Sequence, residues 1–278
     1  AFSDPTNFTY PAGGHICEVD AERDTGKVHV DRFTAVDDFR HLGRPMIVAL
    51  TAKVVLVTGA ASGIGAAIAR LAAASGPAGL MLTDMDAHGL ARTASDLAAT
   101  GAAVATFLAD LASPAAPGDI IAAAIARFGR TDALVNCAGL TTRAALTDAT
   151  PALWETLFAV NARAPFFLMQ AAVRDMLARR APGSIVNILS VNAHVGLPEL
   201  SVYAATKGAM QTLTKNAANA HLSDPIRVNG INLGWVATEA EDHMQSVTLG
   251  KGPGWQAGAA ARRRPSRVVT RVEAARVA

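Results

Sequence analysis

"KVVLVTGAASGIG", residues 53–65, is the stretch that decides the fold. Its opening run, residues 53–59, is continuously apolar rather than alternating, as in a parallel strand buried on both faces. The glycines that follow permit a tight turn. Ile64 and Ile68 then recur at helical spacing, and Gly76 suits the end of that helix. The stretch therefore predicts a strand, a glycine-rich turn and a helix, in that order.

The same alternation continues along the chain. Further apolar runs predict buried strands at 79–84, 102–110, 133–139, 184–190 and 227–234. Helical segments lie between them, and we expect the one that follows Trp154 to be interrupted or bent near Pro165. This rhythm predicts an α/β fold: a doubly wound, mostly parallel, Rossmann-type sheet with helices on both faces.

Composition narrows the class of protein. The 278 residues are 51% hydrophobic and 17% charged, which is typical of a globular chain. A net charge of +2 is too small to indicate nucleic-acid binding, and no apolar run reaches membrane-spanning length. Cys17 and Cys137 match no metal-site spacing. We expect a cytoplasmic protein with no metal and with neither nucleic acid nor membrane as a partner.

Residues 1–50 depart from the rhythm. "HICEVDAERDTGKVHVDRFTAVDD" (15–38) predicts two strands joined by a turn at Asp24-Thr25-Gly26. Residues from about 7 to 48 resemble a short fragment of the large subunit of molybdenum-containing hydroxylases, without any cofactor site. We interpret residues 1–50 as an appended hairpin or a fusion artefact, and residues 51–278 as a dinucleotide-binding domain.

The glycine-rich turn indicates the ligand. In "TGAASGIG" (58–65), Gly59, Gly63 and Gly65 let the backbone approach a pyrophosphate at the helix N-terminus, where free N–H groups favour anions. Many strand–helix turns need glycine for shape alone, but the strand–turn–helix context favours dinucleotide binding.

Asp84, at the end of the second strand, bears on the choice of cofactor. Its carboxylate can accept hydrogen bonds from the adenosine ribose hydroxyls and would repel a 2′-phosphate. The alternative is that Asp84 caps the next helix, but Asp86 is equally well placed for that. The sequence therefore favours NAD over NADP.

Tyr203 and Lys207 are the candidate acid/base pair. Spaced i and i+4 on a predicted helix, they share a face. A cation about 4 Å from a phenol, at an effective dielectric near 20, favours the phenolate by about 4 kcal/mol, or about three pKa units. Ser190 closes the fifth predicted strand and is placed to hold a substrate oxygen while Tyr203 exchanges the proton. Alternatively, Tyr203 is a surface residue and Lys207 a solvated charge.

Together these features resemble the short-chain dehydrogenase/reductase family over about residues 51–275. The matching segments are the glycine turn, "NCAG" (136–139), Asn161, Ser190, Tyr203 with Lys207, and "NLGWVATE" (232–239). The resemblance implies that Tyr203 is the general acid/base, Ser190 orients the substrate, and Lys207 binds the nicotinamide ribose. It also implies that Asn161 holds a water linking Lys207 to solvent, although Asn161 could simply bond backbone within its helix.

The resemblance further implies a set of cofactor contacts. Asp110 and Leu111 would contact the adenine, unless Asp110 caps the following helix, and Asn136 would brace the sheet. Besides Tyr203 and Lys207, the implied cofactor-binding residues are Gly59, Ser62, Gly63, Ile64, Gly65, Asp84, Asp110, Leu111, Asn136, Ala138, Gly139, Gly234, Val236 and Thr238.

Two departures from the family pattern are visible. Cys137 and Leu233 stand where Asn and Pro are usual. The chain also ends in "VVTRVEAARVA" (268–278), inside what resembles the helix before the family's last strand, so that strand is apparently missing. We expect the sixth strand to be an edge, with lower stability and a tendency to aggregate.

The sequence thus predicts an NAD-dependent oxidoreductase acting on a secondary alcohol or ketone, and the resemblance implies a homotetramer or homodimer. One alternative is a non-catalytic NAD-binding sensor or scaffold, and another is a partner-docking strand pair within residues 1–50. The candidate pocket residues suit a sugar, a polyol or a small cyclic alcohol; they are Thr141, Asn192, His194, Leu197, Trp235 and residues 239–247.

Overall fold

The computed structural model describes residues 14–21, 28–36, 50–194, 196–256 and 269–277. The strands are β1 (Gly14–Ala21), β2 (Val28–Val36), β3 (Val54–Thr58), β4 (Gly79–Asp84), β5 (Val104–Leu108), β6 (Ala133–Asn136), β7 (Gly183–Ser190), β8 (Ile226–Leu233), β9 (Val236–Ala237) and β10 (Val269–Thr270). The α-helices are α1 (Gly63–Ala74), α2 (Ala87–Ala98), α3 (Ala116–Phe128), α4 (Pro151–Phe158), α5 (Ala164–Ala178), α6 (Ser201–Ala220), α7 (Glu239–His243) and α8 (Arg271–Val277). None of these helices has both the length and the apolar character needed to cross a bilayer.

The chain divides into two compact units, Ala1–Val48 and Ala49–Ala278. In the first unit, β1 and β2 pair antiparallel, with Gly14 opposite Val36. The two predicted strands are therefore present. The predicted turn at residues 24–26 lies outside the described residues.

The second unit is built on a six-stranded sheet in the order β5-β4-β3-β6-β7-β8, with every pair of neighbours parallel. This confirms the predicted doubly wound, mostly parallel α/β sheet. The strand order reverses between β3 and β6. In open α/β sheets, ligands bind at such a reversal, outside the carboxyl ends of the strands.

Both faces of the sheet are covered, which explains why its strands are continuously apolar. Leu56 and Leu134 pack on one face in a cluster with residues of α3, α5 and α6. Val55 and Val135, one residue along, pack on the other face with residues of α1, α2 and α8. Burying each such side chain contributes about 1.5–3 kcal/mol. The two clusters hold the carboxyl ends of the strands in a fixed arrangement.

The helix that follows Trp154 was expected to be interrupted or bent near Pro165, and the structure shows an interruption. A five-residue π-helical turn, Ala159–Arg163, separates α4 from α5. Pro165 lies in the first turn of α5, directly after the π-helical turn, and its missing N–H removes a donor from the regular α-helical pattern at this point. Single π turns inside helices are frequent at functional sites. Here the turn carries the buried Asn161.

Candidate active site

A cleft of ≈ 580 Å³ runs from the glycine turn to α6 along the carboxyl edge of the sheet. Its volume is within the range of small-molecule sites. Among the predicted site residues, those on its walls are Gly59, Ser62, Gly63, Ile64, Gly65, Asp84, Asp110, Leu111, Ala138, Gly139, Ser190, Tyr203, Lys207, Gly234, Val236 and Thr238. Asn136 and Asn161 do not line it. One cleft therefore joins the predicted dinucleotide turn to the predicted acid/base pair.

The glycine turn has no room for larger residues. A Cβ at Gly65 would lie 2.1 Å from the carbonyl oxygen of Gly59, and Gly59 itself has a φ of +71°. The side chain of Ser62, the N-cap of α1, makes no capping hydrogen bond. The first backbone N–H groups of α1 therefore remain available to an anion such as a pyrophosphate.

Asp84 braces this turn from the end of β4. Its Oδ2 accepts a hydrogen bond from the backbone N–H of Ala61 at 2.9 Å, and its Oδ1 accepts from that of Asp86 at 3.0 Å. Capping of α2 falls instead to Asp86, whose Oδ1 accepts from His88 and Gly89. A carboxylate can accept about four hydrogen bonds, so Asp84 retains capacity for a ribose hydroxyl.

Asp110 and Leu111 lie farther along the same wall. The Oδ1 of Asp110 accepts a hydrogen bond from the backbone N–H of Ala112 at 2.8 Å. This bond stabilises the local turn and caps no helix, because α3 begins only at Ala116. Leu111 is buried and joins the core. This part of the cleft wall therefore presents the fixed carboxylate of Asp110 beside the apolar side chain of Leu111.

The "NCAG" segment is fixed from behind. Thr58 Oγ1 accepts hydrogen bonds at 3.0 Å from the backbone N–H groups of Cys137 and Ala138. Asn136 Nδ2 donates to Asn187 Oδ1 at 2.8 Å, which links β6 to β7 behind the cleft wall. Burial raises the pKa of the Cys137 thiol to about 12, so the thiol stays neutral beside the cleft.

The reactive end of the cleft is made of buried polar side chains. Ser190 ends β7, while Tyr203 and Lys207 lie one turn apart on α6, and all three are buried. Ser190 is close enough to the Tyr203 phenol to lower its pKa. Lys207 Nζ donates to the carbonyl oxygen of Ile188 at 2.8 Å and lies 5.8 Å from the centroid of the Tyr203 ring. The alternative of a solvated Tyr203 and Lys207 is therefore wrong.

Burial dominates the ionisation of this pair. It raises the pKa of Tyr203; the nearby Ser190 hydroxyl lowers that pKa, and the charge of Glu241 raises it. Burial also lowers the pKa of Lys207 to about 8. The pKa of Tyr203 is therefore raised where the sequence analysis expected it to be lowered, because that expectation counted the attraction to the Lys207 charge and left out the larger cost of burying a phenolate.

Asn161 connects three elements behind the reactive end. Its Oδ1 accepts a hydrogen bond from the backbone N–H of Leu140, and its Nδ2 donates to the Leu140 carbonyl oxygen, both at 2.8 Å. Nδ2 also donates to Thr206 Oγ1 on α6 at 3.1 Å. Asn161 therefore holds the loop after β6 against the helix that carries Tyr203, and does not bond within its own helix.

The substrate end differs in part from the expectation. Thr141 lines the cleft, and a second cavity of ≈ 250 Å³ beside Ser190 is lined by Asn192, Leu197 and Trp235, among others. His194 was expected in the pocket, but it lines neither cavity. Its ring Nε2 instead lies 2.9 Å from Gln211 Nε2 on α6.

Arg143 lines the cleft and was missed by the sequence analysis. A signal was present: Arg143 follows "NCAG" by four residues, on a loop that leaves the carboxyl edge of the sheet, where a cation faces the ligand. Glu241, which also lines the cleft, fell inside the expected segment 239–247.

Comparison with known proteins agrees with this geometry. A model of the short chain dehydrogenase family matches residues 53–247. A gluconate 5-dehydrogenase from Gluconobacter oxydans is 34% identical over 203 residues, which is 73% of this chain and 78% of that protein.

Two solved structures share the fold. L-Sorbose reductase from Gluconobacter frateurii, in complex with NADPH and L-sorbose, has a TM-score of 0.78 and 28% identity, covering 84% of this chain and 90% of that chain. A short chain dehydrogenase/reductase from Burkholderia phymatum, in complex with NAD, has a TM-score of 0.67 and 29% identity, covering 71% of this chain and 70% of that chain. With the glycine turn and the Ser190–Tyr203–Lys207 group in one cleft, and a family match over most of its length, this chain belongs to the short-chain dehydrogenase family of oxidoreductases.

Proposed function

We propose that this chain transfers a hydride between a nicotinamide cofactor and a secondary alcohol or ketone, with Tyr203 as the general acid/base. The observation that carries the proposal is that the buried side chains of Ser190, Tyr203 and Lys207 line the same cleft as the glycine turn. General acid/base catalysis needs such a group within hydrogen-bond reach of the reacting oxygen. The rival function, a non-catalytic NAD-binding sensor or scaffold, gives no reason for a buried proton-exchanging pair.

The residues of the cleft fit a dinucleotide. The crowded glycine turn brings backbone N–H groups to the cleft wall, where they would hold the pyrophosphate. Asp84 would hold the adenosine ribose and Lys207 the nicotinamide ribose. When bound, the cofactor supplies the hydride chemistry that side chains cannot perform.

The side chains perform the proton chemistry. In the oxidative direction, Ser190 orients the substrate hydroxyl and Tyr203 accepts its proton. In the reductive direction, Tyr203 returns that proton to the carbonyl oxygen. The ammonium of Lys207, fixed by the carbonyl of Ile188, supplies positive charge near the phenol and so favours its ionised form during the transfer.

NAD is the cofactor that Asp84 supports. The carboxylate lines the cleft and is held in place by two backbone N–H groups, so it would stay close to a 2′-phosphate and repel it. We expect kcat/KM for NAD to exceed that for NADP at least tenfold, and Asp84→Ser to narrow the ratio. Asp86→Ser is the matched control, because Asp86 caps α2 away from the cleft wall.

The decisive experiment is a screen of secondary alcohols and ketones by NADH absorbance, run on the wild type and on Tyr203→Phe. We expect the phenylalanine variant to lose about 10³-fold in kcat, with NADH affinity within threefold of wild type. A variant with comparable kcat removes Tyr203 from the acid/base role. NADH binding without turnover of any substrate by the wild type favours the sensor or scaffold.

A further inference from the structure

Arg143 and Glu241 form an ion pair on the cleft wall, and neither residue has a role in the proposed hydride and proton transfer. Arg143 lies in the loop after β6, and Glu241 lies on α7. An Nη atom of Arg143 is 3.7 Å from Glu241 Oε1, and the two side chains are only 13% and 17% exposed. Both residues line the cleft.

The pair lies close to the reacting group. Ala144, which follows Arg143, accepts a hydrogen bond from Ser201 Oγ at 2.9 Å, and this ties the loop to the first turn of α6, which also carries Tyr203. On the other side, Glu241 is near enough to the phenol for its charge to act on it. A substrate held at Tyr203 would therefore lie close to Arg143 and Glu241.

The pair has hydrogen-bonding capacity to spare. The 3.7 Å separation between Arg143 and Glu241 is too long for a hydrogen bond. The Nη atom of Arg143 that faces Glu241 therefore makes no hydrogen bond with it, and Glu241 Oε1 accepts one from Gln245 Nε2. A hydroxyl can accept from the guanidinium and donate to the carboxylate at the same time, which neither a carboxylate nor an alkyl group can do.

The charges of the pair do not favour an anion. Arg143 is balanced by Glu241 inside the cleft and by Glu199 outside it, at 3.0 Å. Glu241 is held in place by Gln245, whose Nε2 donates to its Oε1 at 2.6 Å. A carboxylate on the substrate would therefore meet a fixed negative charge beside an arginine that is already neutralised.

We propose that Arg143 and Glu241 select a neutral polyhydroxylated substrate, a sugar alcohol or the ketose formed from it, by binding a hydroxyl other than the one that reacts. This inference rests on the proposed function, because the pair can select a substrate only if the cleft turns one over. Sites built to bind a substrate hydroxyl reject analogues that lack it by up to about 10⁴–10⁵-fold. With a single pair, we expect a preference of about 100-fold.

The test compares kcat/KM for a panel of sugar alcohols, the aldonates of the same length, and cyclohexanol as an alcohol with a single hydroxyl. The wild type should prefer a sugar alcohol over both other classes. Arg143→Met should lower kcat/KM for the sugar alcohol about 30-fold, mainly through KM, since hydrogen bonds to charged groups contribute about 1.5–3 kcal/mol. The ratio of kcat/KM for the sugar alcohol to that for cyclohexanol should fall by a similar factor, since any effect of the substitution on Tyr203 is common to both substrates.

Glu241→Gln removes the negative charge of the pair while keeping the size of the side chain. It leaves Arg143 less neutralised, so the preference for the sugar alcohol over the aldonate should fall about tenfold. Glu199→Gln is the matched control: Glu199 pairs with the same arginine but is 48% exposed and outside the cleft lining, so solvent screens its charge. It should leave the preference within threefold of wild type.

The outcomes distinguish the inference from the function on which it rests. A wild type that prefers aldonates or cyclohexanol overturns the inference alone. The same holds if Arg143→Met and Glu241→Gln both keep the wild-type preference while Tyr203→Phe is inactive. A wild type that oxidises none of these alcohols, and reduces none of the matching ketones, with either cofactor overturns the proposed function as well. NADH affinity and melting temperature show whether each variant is folded.

Discussion

The two ends of the cleft are built in opposite ways. At the glycine turn, the structure supplies space and backbone donors, and small residues such as Gly59 and Gly65 are needed because nothing larger fits. At the reactive end, it supplies buried side chains such as Ser190, Tyr203 and Lys207. The glycine turn therefore depends on close packing of the backbone, whereas the reactive end depends on polar side chains that are buried away from water.

This difference predicts where function and stability conflict. The donors of the glycine turn are backbone N–H groups, which carry no net charge to be buried. A buried lysine opposes folding while it is charged, and burial lowers the pKa of Lys207 to about 8. Substitutions at the reactive end should therefore abolish chemistry without unfolding the protein, while those at the turn should act through binding.

Lys207→Met gives the largest expected effect. We expect kcat to fall about 10³-fold, because the phenolate loses its neighbouring cation. At pH 7 the melting temperature should not fall. A pKa that drops from 10.5 to about 8 corresponds to a cost on the order of 3 kcal/mol for the charged amine, and losing its bond to the Ile188 carbonyl costs about 1–3 kcal/mol.

The pH dependence of stability checks the same substitution. The folded-state pKa of Lys207 is lowered, so wild-type stability should rise as the pH increases from about 8 towards the unfolded-state pKa of about 10.4. The methionine variant should lack that rise. Lys215→Met, an exposed lysine on the same helix, is the control and should retain it. A melting temperature for Lys207→Met well below that of wild type at pH 7 contradicts the comparison.

Gly65→Ala tests the other end, with a smaller effect on turnover. Its Cβ would lie 2.1 Å from the carbonyl oxygen of Gly59, so the turn must shift away from the cofactor. We expect NADH affinity, measured by fluorescence titration, to weaken about 100-fold while kcat at saturating cofactor changes less. Gly118→Ala is the matched control, because a Cβ there, on the exposed side of α3, meets nothing within 4 Å. Unchanged affinity in Gly65→Ala would show that the turn does not approach the cofactor.

The two ends also differ in how far sequence could predict them. The glycine turn is local: eight consecutive residues, 58–65, contain the strand end, the bend and the helix start, so pattern alone placed them. At the reactive end, spacing placed Tyr203 and Lys207 on one face, but burial determines their pKa shifts. Burial depends on the whole fold, and i, i+4 spacing does not report it.

Contacts between residues that are distant in the sequence could not be predicted, for the same reason. Arg143 and Glu241 come from separate elements, the loop after β6 and helix α7, and only the folded chain brings them together. Asn161 was identified by resemblance. Its hydrogen-bond partners, Leu140 and Thr206, lie in other elements and are known only from the structure, in which Asn161 is part of a π-helical turn. Sequence predicted which residues would face the cleft better than which residues they would contact.

The smallest expected effect is a shift in a pH profile at the reactive end. The charge of Glu241 raises the pKa of Tyr203, which burial raises more strongly and the nearby Ser190 hydroxyl lowers. Removing that charge by Glu241→Gln should lower the phenol pKa. Alcohol oxidation needs the phenolate, so the rise of kcat/KM with pH should move to lower pH, by less than one unit. Glu199→Gln, whose carboxylate is half exposed, should leave the profile in place. If Glu241→Gln instead moves the rise to higher pH, the charge of Glu241 does not act on Tyr203 as described. The contrast between a glycine turn that depends on close packing and a reactive end that depends on buried charges would then be wrong for the reactive end.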